Sequence, residues 1–159
     1  MITVGDTIPD VALKAVTSGA TEDVRTGQLF ASGKIVLFGV PGAFTPVCSD
    51  FHLPGFVLKT DDIRAKGIDT IACVSVNDAF VMGAWARSED AEGIVMLADD
   101  AATFTTAMGL GVDASSFGLG TRSERYAAII ENGVLTSIEV EKQFVDHEVS
   151  TAEHVLAAL

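Results

Sequence analysis

An almost unbroken apolar run over residues 34–40 most constrains how this chain folds. The run is rich in β-branched side chains, which is typical of a central strand covered on both faces. Pro41 and Gly42 end it, and Pro46 then has the fixed φ angle suited to a first helical turn. The sequence therefore predicts a buried strand that leads directly into a helix.

Cys48 falls in the first turn of this predicted helix. Thr45 is the expected N-cap residue, because it stands just before Pro46. The unpaired N–H groups and the aligned peptide dipoles of a first turn favour an anion, so we expect Cys48 to be a reactive thiolate. Pro54 should kink the helix, predicted over residues 46–65, and make it easier to unwind.

A structural role is the alternative for either cysteine, because free cysteine commonly packs as a small apolar side chain. Cys48 and Cys73 are the two cysteines of the sequence, too few for a disulfide scaffold. The neighbours of Cys48 favour a reactive role there. Cys73 lies within a second apolar run, residues 68–76, where an inert buried position is equally plausible.

Composition limits the class of protein. A chain of 159 residues with 48% hydrophobic residues suits one compact domain, which we expect to cover residues 1–159. Its net charge of −12 repels nucleic acid and anionic membranes, so we expect neither as a partner. Residues 1–6 lack the basic start of a secretory signal, and no run approaches the roughly 20 apolar residues of a membrane helix. We expect a cytoplasmic protein.

Strands and helices alternate along the chain, which indicates an α/β fold with a mixed central sheet flanked by helices. The expected order is short strands and turns over 7–29, strand 34–40, helix 46–65, strand 68–76, helix 77–87, strand 93–98, a loop with a short helix over 99–109, a loop over 111–120, a hairpin over 126–140 and a helix from 150. In such folds a site commonly lies beyond the carboxyl end of a parallel strand, which is where Cys48 falls.

Local signals set the predicted ends of several elements. Asn77 is the expected cap of the helix that runs to about Arg87. Asn132 and Gly133 favour a tight hairpin turn, because both accept a positive φ. Ser150 begins a pattern typical of a capping box, which predicts that it is the N-cap of the last helix.

Three segments resemble those of peroxiredoxins, in particular the peroxiredoxin 5 or type II branch, and they occur in the same order. They are PGAFTPVCS at 41–49 continued by HLPGF at 52–56, SVNDAFVM at 75–82 with Trp85, and RSERYA at 122–127. The resemblance implies a thioredoxin-like fold and a thiol peroxidase. Cys48 would be the peroxidatic cysteine, reducing hydrogen peroxide and organic hydroperoxides through a sulfenic acid.

The resemblance also implies roles for residues around the thiol. Arg125 matches the distant arginine of the family and would hold the thiolate and stabilise the leaving oxygen; for an arginine taken alone, a solvated surface role would be preferred. Thr45 can orient a peroxide through its hydroxyl, a role compatible with N-capping. Pro41 would shield the sulfur, and the peroxide pocket would further include Gly42, Phe44, Val47, His52 and Phe117, with Phe117 as an apolar collar that favours organic hydroperoxides.

His52 lies four residues after Cys48, which would place both on one helix face and suggests half of a metal site. No further ligand accompanies them in the sequence, because His147 and His154 are distant along the chain. We therefore expect no metal and no cofactor. His52 is instead a candidate hydrogen-bonding neighbour of the site, or a packing histidine.

The route back to the free thiol is open in the sequence. Members of this branch with two working cysteines carry a resolving cysteine near the C-terminus, and this chain has none after Cys73. Cys73 is a possible resolving residue if the helix unwinds near Pro54, but an external thiol is the expected reductant, either glutaredoxin with glutathione or thioredoxin. The resemblance also implies a homodimer.

Two other classes of protein compete with this interpretation. A thiol-disulfide oxidoreductase would use the same helix-start cysteine, but Thr45 stands where a Cys-x-x-Cys pair has its first cysteine. A redox-regulated chaperone or interaction module on the same fold would be indifferent to replacement of Cys48.

Overall fold

The computed structural model describes residues 1–143 and 145–159. Its strands are β1 (Ala12–Thr17), β2 (Ala20–Arg25), β3 (Lys34–Gly39), β4 (Thr70–Ser75), β5 (Val95–Ala98), β6 (Gly111–Asp113), β7 (Thr121–Ser123), β8 (Tyr126–Glu131) and β9 (Val134–Val140). Its α-helices are α1 (Thr26–Leu29), α2 (Leu53–Ala65), α3 (Ala79–Ser88), α4 (Thr103–Ala107) and α5 (Ala152–Ala158). A π-helical turn covers Cys48–His52 and a 3₁₀ turn covers Ser115–Phe117.

Within the described residues, seven strands form one mixed sheet in the order β2-β1-β5-β4-β3-β8-β9. The central pairs β3/β4 and β4/β5 are parallel, and the outer pairs are antiparallel. The expected α/β fold with a mixed central sheet is confirmed. β3 is an interior strand between β4 and β8, so the chain that leaves its carboxyl end lies close to the ends of both neighbours.

Strand β3 is buried on both faces, as its composition predicts. Val36 and Phe38 pack into one core cluster, whereas Ile35 and Leu37 pack into the other. This alternation follows from the two-residue period of a strand. Cys73, paired with Phe38 in the register between β4 and β3, belongs to the first cluster, as does Cys48.

The hairpin of β8 and β9 forms as predicted. Asn132 has a φ of 50° and Gly133 a φ of 80°, the left-handed values that a two-residue hairpin loop requires. The hairpin places the start of β8 beside the carboxyl end of β3, since Tyr126 pairs with Gly39. Arg125, the residue before β8, is thereby brought to the Cys48 end of the sheet.

Two predicted caps are wrong by one residue. Asp78, rather than Asn77, caps α3 by accepting the N–H of Val81 at 2.8 Å. Thr151, rather than Ser150, caps α5 by accepting the N–H of His154 at 3.0 Å. In both cases the polar residue before the cap has a tertiary partner, which local sequence rules do not register.

The segment predicted as a loop over residues 111–120 contains more structure than expected. β6 and β7 form a small two-stranded sheet, and the 3₁₀ turn at Ser115–Phe117 lies between them. Gly118 and Gly120 take positive φ angles of 74° and 69°, which return the chain for pairing. Strands of three residues are too short to give a periodic pattern in the sequence.

Candidate active site

Cys48 lies just beyond the carboxyl end of β3, at the start of the π-helical turn. Helical backbone begins at Pro46 and widens at Cys48, where the N–H of Leu53 donates to the Cys48 carbonyl. Pro54, at the beginning of α2, has no N–H to donate, which explains why the regular ladder is interrupted here rather than continued. π-Helical turns are frequent at functional sites. The interruption of the helix expected at Pro54 therefore takes the form of a π-helical turn just before it.

The Cys48 sulfur contacts a buried cation. Nη2 of Arg125 donates to Sγ at 3.1 Å, and Nη1 of the same guanidinium lies 3.0 Å from Nδ1 of His52. Cys48 is 0% exposed, Arg125 2% and His52 0%. The guanidinium therefore places a fixed positive charge directly against the sulfur, in a setting where water screens it little.

His52 acts as a bridge between Arg125 and the chain before α5. Its Nε2 lies 3.0 Å from the carbonyl of Ser150. Because arginine only donates, Nδ1 must be the acceptor and Nε2 must carry the proton. Burial lowers the pKa of His52 well below its ordinary value, and the charges of Arg125 and His147 lower it further, against the opposing effect of the Ser150 carbonyl. His52 is therefore a neutral imidazole of one tautomer.

The loop before Cys48 is fastened by Arg122 and Asn77. Arg122 donates from Nη1 to the carbonyls of Val76 at 3.1 Å and Pro41 at 3.4 Å. Asn77 accepts the N–H of Ala43 at 3.0 Å through its side-chain oxygen. These bonds tie the loop to the carboxyl end of β4, so the position of Cys48 is set by two neighbouring strands.

The π-helical turn is also held to α3. Trp85 donates from its indole nitrogen to the hydroxyl of Ser49 at 3.0 Å. Trp85 is fully buried, so its ring supports the residue next to Cys48 from the core side. Trp85 and Ser49 both belong to the segments on which the family resemblance rests.

Thr45 has the backbone position of an N-cap but a different hydroxyl partner. Its carbonyl accepts the N–H of Ser49 at 3.0 Å, whereas its hydroxyl donates to the carbonyl of Gly42 at 2.6 Å. The side-chain cap that we predicted is therefore absent. A hydroxyl that donates in this way retains lone pairs that can accept a further hydrogen bond.

A cavity of about 340 Å³ opens beside this group of residues. Its walls are mainly apolar and consist of Pro41, Thr45, Pro46, Val47, Phe117, Leu119, Arg125 and Val145. Cys48 is fully buried and is not part of the cavity wall, but it contacts Arg125, which is. A second cavity of about 620 Å³ lies between β1 and the start of α3, but no cysteine lines it.

Of the five further pocket residues predicted from the sequence, Val47 and Phe117 line this cavity together with Pro41, Thr45 and Arg125, and the other three are placed elsewhere. Gly42 packs beneath Thr45, because a Cβ on it would lie 3.0 Å from Cγ2 of Thr45. Phe44 is 55% exposed on the surface, with a φ of 63°. His52 lies behind Arg125, away from the cavity walls.

Cys73 is buried in the middle of β4, and both cysteines are free thiols. Burial raises the pKa of the Cys73 thiol well above its ordinary value, and the charge on Cys48 raises it further, against a smaller opposing effect of Arg125. A thiol held in its neutral form is a poor nucleophile.

His147, distant from His52 in sequence, is close to it in space. The centroids of the two rings are 5.1 Å apart. The described residues contain no group of three histidine, cysteine, aspartate or glutamate side chains suited to a metal, so no third ligand accompanies these two.

Among the described residues, no helix is long and apolar enough to span a membrane.

Comparison with known proteins gives consistent matches over the whole chain. Residues 3–156 match the Redoxin family model. Peroxiredoxin-2C of Oryza sativa subsp. japonica is 45% identical over 162 residues, covering 99% of this chain and 98% of that protein. Among solved structures, reduced Prx3 of Vibrio vulnificus in complex with H₂O₂ is 51% identical, with a TM-score of 0.92 and 99% of both chains covered. Peroxiredoxin 5 of Alvinella pompejana is 35% identical, with a TM-score of 0.86 and 99% of this chain and 97% of that chain covered.

This chain belongs to the peroxiredoxin family, in its type II branch. The predicted family, the thioredoxin-like fold and the class of enzyme, a thiol peroxidase, are confirmed. Cys48 of this peroxiredoxin stands beside the Arg125 that the resemblance pointed to, 3.1 Å from its sulfur.

Supporting residues of this peroxiredoxin site were missed in the sequence. Asn77 and Arg122 lie in segments that resemble the family, but Asn77 was interpreted as a helix cap and Arg122 received no role. Ser150 is predicted only as the N-cap of the last helix and Glu141 receives no role, because nothing local indicates that Ser150 contacts both His52 and Glu141. Their contacts depend on tertiary structure.

Proposed function

We propose that Cys48 is the peroxidatic residue and that it reduces hydrogen peroxide and organic hydroperoxides. The observation that carries this proposal is the hydrogen bond of 3.1 Å from Nη2 of Arg125 to Sγ of Cys48, between two buried side chains. The buried guanidinium favours the thiolate, which is the form that attacks an electrophile. The relative crystallised with H₂O₂ supports the same class of substrate.

In the proposed step, the Cys48 thiolate attacks one oxygen of the peroxide. A sulfur–oxygen bond forms and the oxygen–oxygen bond breaks, so that sulfur is oxidised to sulfenic acid and the departing oxygen leaves with the electron pair as hydroxide or alkoxide. That oxygen takes a proton and is released as water or an alcohol. Arg125 stabilises the negative charge as it passes from sulfur to the leaving oxygen.

Thr45 is proposed to orient the peroxide. Its hydroxyl already donates to Gly42, so it contributes to the peroxide as an acceptor of the peroxide proton. The apolar walls of the neighbouring cavity, including Pro41 and Phe117, admit the organic part of a hydroperoxide. Because Cys48 is fully buried, the peroxide reaches the sulfur only when side chains at the cavity floor move.

We propose that an external thiol, glutaredoxin with glutathione or thioredoxin, restores Cys48. The first thiol condenses with the sulfenic acid to give a mixed disulfide and water, and a second thiol releases Cys48 and leaves as a disulfide. Cys73 is disfavoured as a resolving residue, because it is buried in β4 and its pKa is raised by that burial.

We further propose a homodimer whose interface lies beside the two sites. Large apolar side chains are exposed near the cavity, Phe44 at 55% and Phe117 at 63%. Exposed apolar surface of this kind is commonly covered by a partner. Light scattering of the purified protein should give twice the chain mass, and Phe44→Asp should give a monomer.

A reducing compartment such as the cytoplasm is the proposed location. Both cysteines are free, and a reducing pool keeps such thiols unpaired between catalytic cycles. Fractionation of cells that express the native gene tests this directly.

The main test measures peroxide consumption with a thiol donor for the parent, Cys48→Ser and Cys73→Ser. We expect Cys48→Ser to be inactive and Cys73→Ser to retain parental activity. An active Cys48→Ser would refute the assignment. Mass spectrometry after one equivalent of peroxide then separates the routes of reduction: a sulfenic acid or glutathione adduct indicates an external thiol, whereas loss of two protons indicates a disulfide with Cys73.

A further inference from the structure

Glu141 is a buried carboxylate directly after β9, with 4% of its surface exposed. Its Oε1 accepts four hydrogen bonds from residues 148–150, the segment just before α5. The donors are the N–H of Glu148 at 2.7 Å, the N–H of Val149 at 2.8 Å, the N–H of Ser150 at 2.8 Å and the hydroxyl of Ser150 at 2.8 Å.

Glu141 also closes a ring of hydrogen bonds around Arg125. The N–H of Glu141 donates to the carbonyl of Arg125 at 2.9 Å. The carbonyl of Ser150 accepts from Nε2 of His52 at 3.0 Å, and Nδ1 of His52 accepts from Nη1 of Arg125 at 3.0 Å. The backbone of Arg125 is thus bonded to Glu141 directly, and its guanidinium is linked through His52 to the segment that the Glu141 carboxylate holds.

A charged acceptor suits this position better than a neutral one. Burial raises the pKa of Glu141, but hydrogen bonds from Ser150, Glu148 and Val149 outweigh that effect and hold it below the ordinary value, so the group is ionised at neutral pH. Hydrogen bonds to a carboxylate are about twice as strong as those between neutral groups. Four such bonds fix the chain that presents the Ser150 carbonyl.

We propose that Glu141 is a positioning residue that fixes the guanidinium of Arg125 against the sulfur of Cys48. The proposal rests on the proposed function of Cys48. Without the carboxylate, the segment at residues 148–150 loses its common acceptor, the Ser150 carbonyl no longer holds His52, and His52 no longer holds Nη1 of Arg125. The guanidinium then leaves the sulfur for part of the time, and attack on peroxide slows.

A double-mutant cycle tests whether Glu141 acts through Arg125. The rate constant for oxidation of Cys48 by hydrogen peroxide is measured in a single turnover, without reductant, for the parent, Glu141→Ala, Arg125→Ala and the double variant. Glu141→Ala should lower this rate constant at least about tenfold relative to the parent. The effect should be smaller than that of Arg125→Ala, which removes the direct donor. In the Arg125→Ala background the same change should alter the rate less than about twofold. Losses that multiply would overturn the proposal.

Glu139→Ala is the matched control, since Glu139 is an exposed glutamate on β9, two residues before Glu141. We expect it to react at the parental rate. If Glu141→Ala does not fold, as judged by near-ultraviolet circular dichroism, the cycle uses Glu141→Gln. That variant keeps an acceptor oxygen but loses the charge, so its rate should fall at least about threefold, because charge-assisted bonds are the stronger ones. A parental rate for Glu141→Gln would contradict the proposal.

Alkylation by iodoacetamide separates this proposal from the proposed function. The measurement is made in the Cys73→Ser background, so that only Cys48 reports. If the parent fails to react with peroxide, the proposed function fails, but Glu141→Ala should still slow alkylation of Cys48 at pH 7, and only where Arg125 is present. Equal alkylation with and without Glu141 would overturn the positioning role alone.

Discussion

Arg125 and Cys48 are in direct contact through a guanidinium that also bonds His52. Nη2 donates to Sγ at 3.1 Å while Nη1 donates to Nδ1 of His52 at 3.0 Å. The rigid planar fork of arginine matches two acceptors at fixed directions, which a single ammonium group cannot do. The orientation of the charge, as well as its presence, is therefore part of the site.

The first prediction compares Arg125→Ala with Arg125→Lys. Loss of the donor should slow oxidation of Cys48 by peroxide about 10²- to 10³-fold, the usual cost of one missing charge-stabilising donor. Lysine should restore part of this rate but remain about tenfold below the parent, because it cannot bond both partners in the same geometry. Stopped-flow fluorescence of Trp85, the single tryptophan, follows the reaction.

Arg87→Lys, at an exposed position on α3, is the control and should match the parent. Full rescue by Arg125→Lys would show that only the charge of Arg125 matters, and not its fork.

The second prediction concerns His52 and acid. Since burial and the neighbouring charges lower its pKa in the folded protein, His52 stays neutral there but gains a proton in the unfolded chain below about pH 6.5. Its contribution to stability is present above that pH and is lost as the pH falls. The free energy of unfolding should therefore decrease by up to about 1.4 kcal/mol for each pH unit below 6.5 from this group.

His52→Gln should remove this part of the acid sensitivity. The glutamine amide can accept from Arg125 and donate to Ser150, as the neutral imidazole does, but it does not titrate. Urea titrations between pH 7 and 5 measure the difference. His147 also has a pKa lowered by burial, so it contributes to the change of unfolding free energy with pH in both proteins. Identical slopes in the two proteins would contradict a neutral His52.

The third prediction concerns Cys73 and alkali. Burial raises its pKa in the folded protein, whereas the unfolded thiol ionises near pH 8.5. Its contribution is present below that pH and is lost as the pH rises. By pH 9.5 the parent should have lost about 1.4 kcal/mol of stability that a Cys73→Ala variant keeps. Denaturant titrations at pH 7.5 and 9.5 measure the change, and the same loss in both proteins would refute the assignment.

The sequence predicts the reacting residues of the site better than the residues that position them. The strand before Cys48, the helical start at Pro46 and the hairpin turn at Asn132 all follow from rules that act within a few residues. Arg125 was found through the family resemblance alone, because no local pattern links two residues this far apart in the chain.

Other features depended on tertiary contacts. The hydroxyl of Thr45 donates to the carbonyl of Gly42, and the side chain of Asn77 accepts the N–H of Ala43. Neither side chain therefore caps the helix that its position suggests. The buried ring around Arg125 includes Glu141, whose acceptor atom meets donors from residues 148–150. These contacts form only in the folded chain, and no periodic pattern in the sequence predicts them.

The fourth prediction concerns Gly39 at the end of β3. A Cβ on this residue would overlap the ring of Tyr126, with Cε1 as the nearest atom. Tyr126 is buried and follows Arg125 directly, so we expect a shift of Tyr126 to displace Arg125 as well. Gly39→Ala should therefore lower the free energy of unfolding by about 1–3 kcal/mol, as overpacking in a core does, and should also slow the reaction of Cys48.

Gly83→Ala is the matched control for a buried glycine. A Cβ there would lie 3.5 Å from Cγ1 of Val16, an ordinary contact, and Gly83 is inside α3. Alanine should leave stability unchanged or raise it by up to about 1 kcal/mol, since it is the better helix former. Thermal unfolding of both variants checks the pair, and equal stability of the two would show that Tyr126 adapts.

The fifth prediction tests the apolar collar. Phe117 is 63% exposed, yet it forms part of the cavity wall together with Leu119 and Val145. A bulky organic hydroperoxide can bury apolar surface against this wall, whereas hydrogen peroxide has none to bury. Phe117→Ala should therefore lower kcat/KM for cumene hydroperoxide about 3- to 10-fold, within the range that one lost apolar contact produces, and should leave that for hydrogen peroxide unchanged.

Phe80→Ala provides the comparison for this experiment, because Phe80 is 90% exposed and lines the cavity that lacks a cysteine. It should not alter the ratio of the two rates. If Phe117→Ala slows both peroxides equally, Phe117 affects the site as a whole, for instance through packing against Leu119, and does not select the substrate. If it slows neither, the organic group binds away from this wall, and the preference of the enzyme must come from residues closer to Pro41 and Thr45.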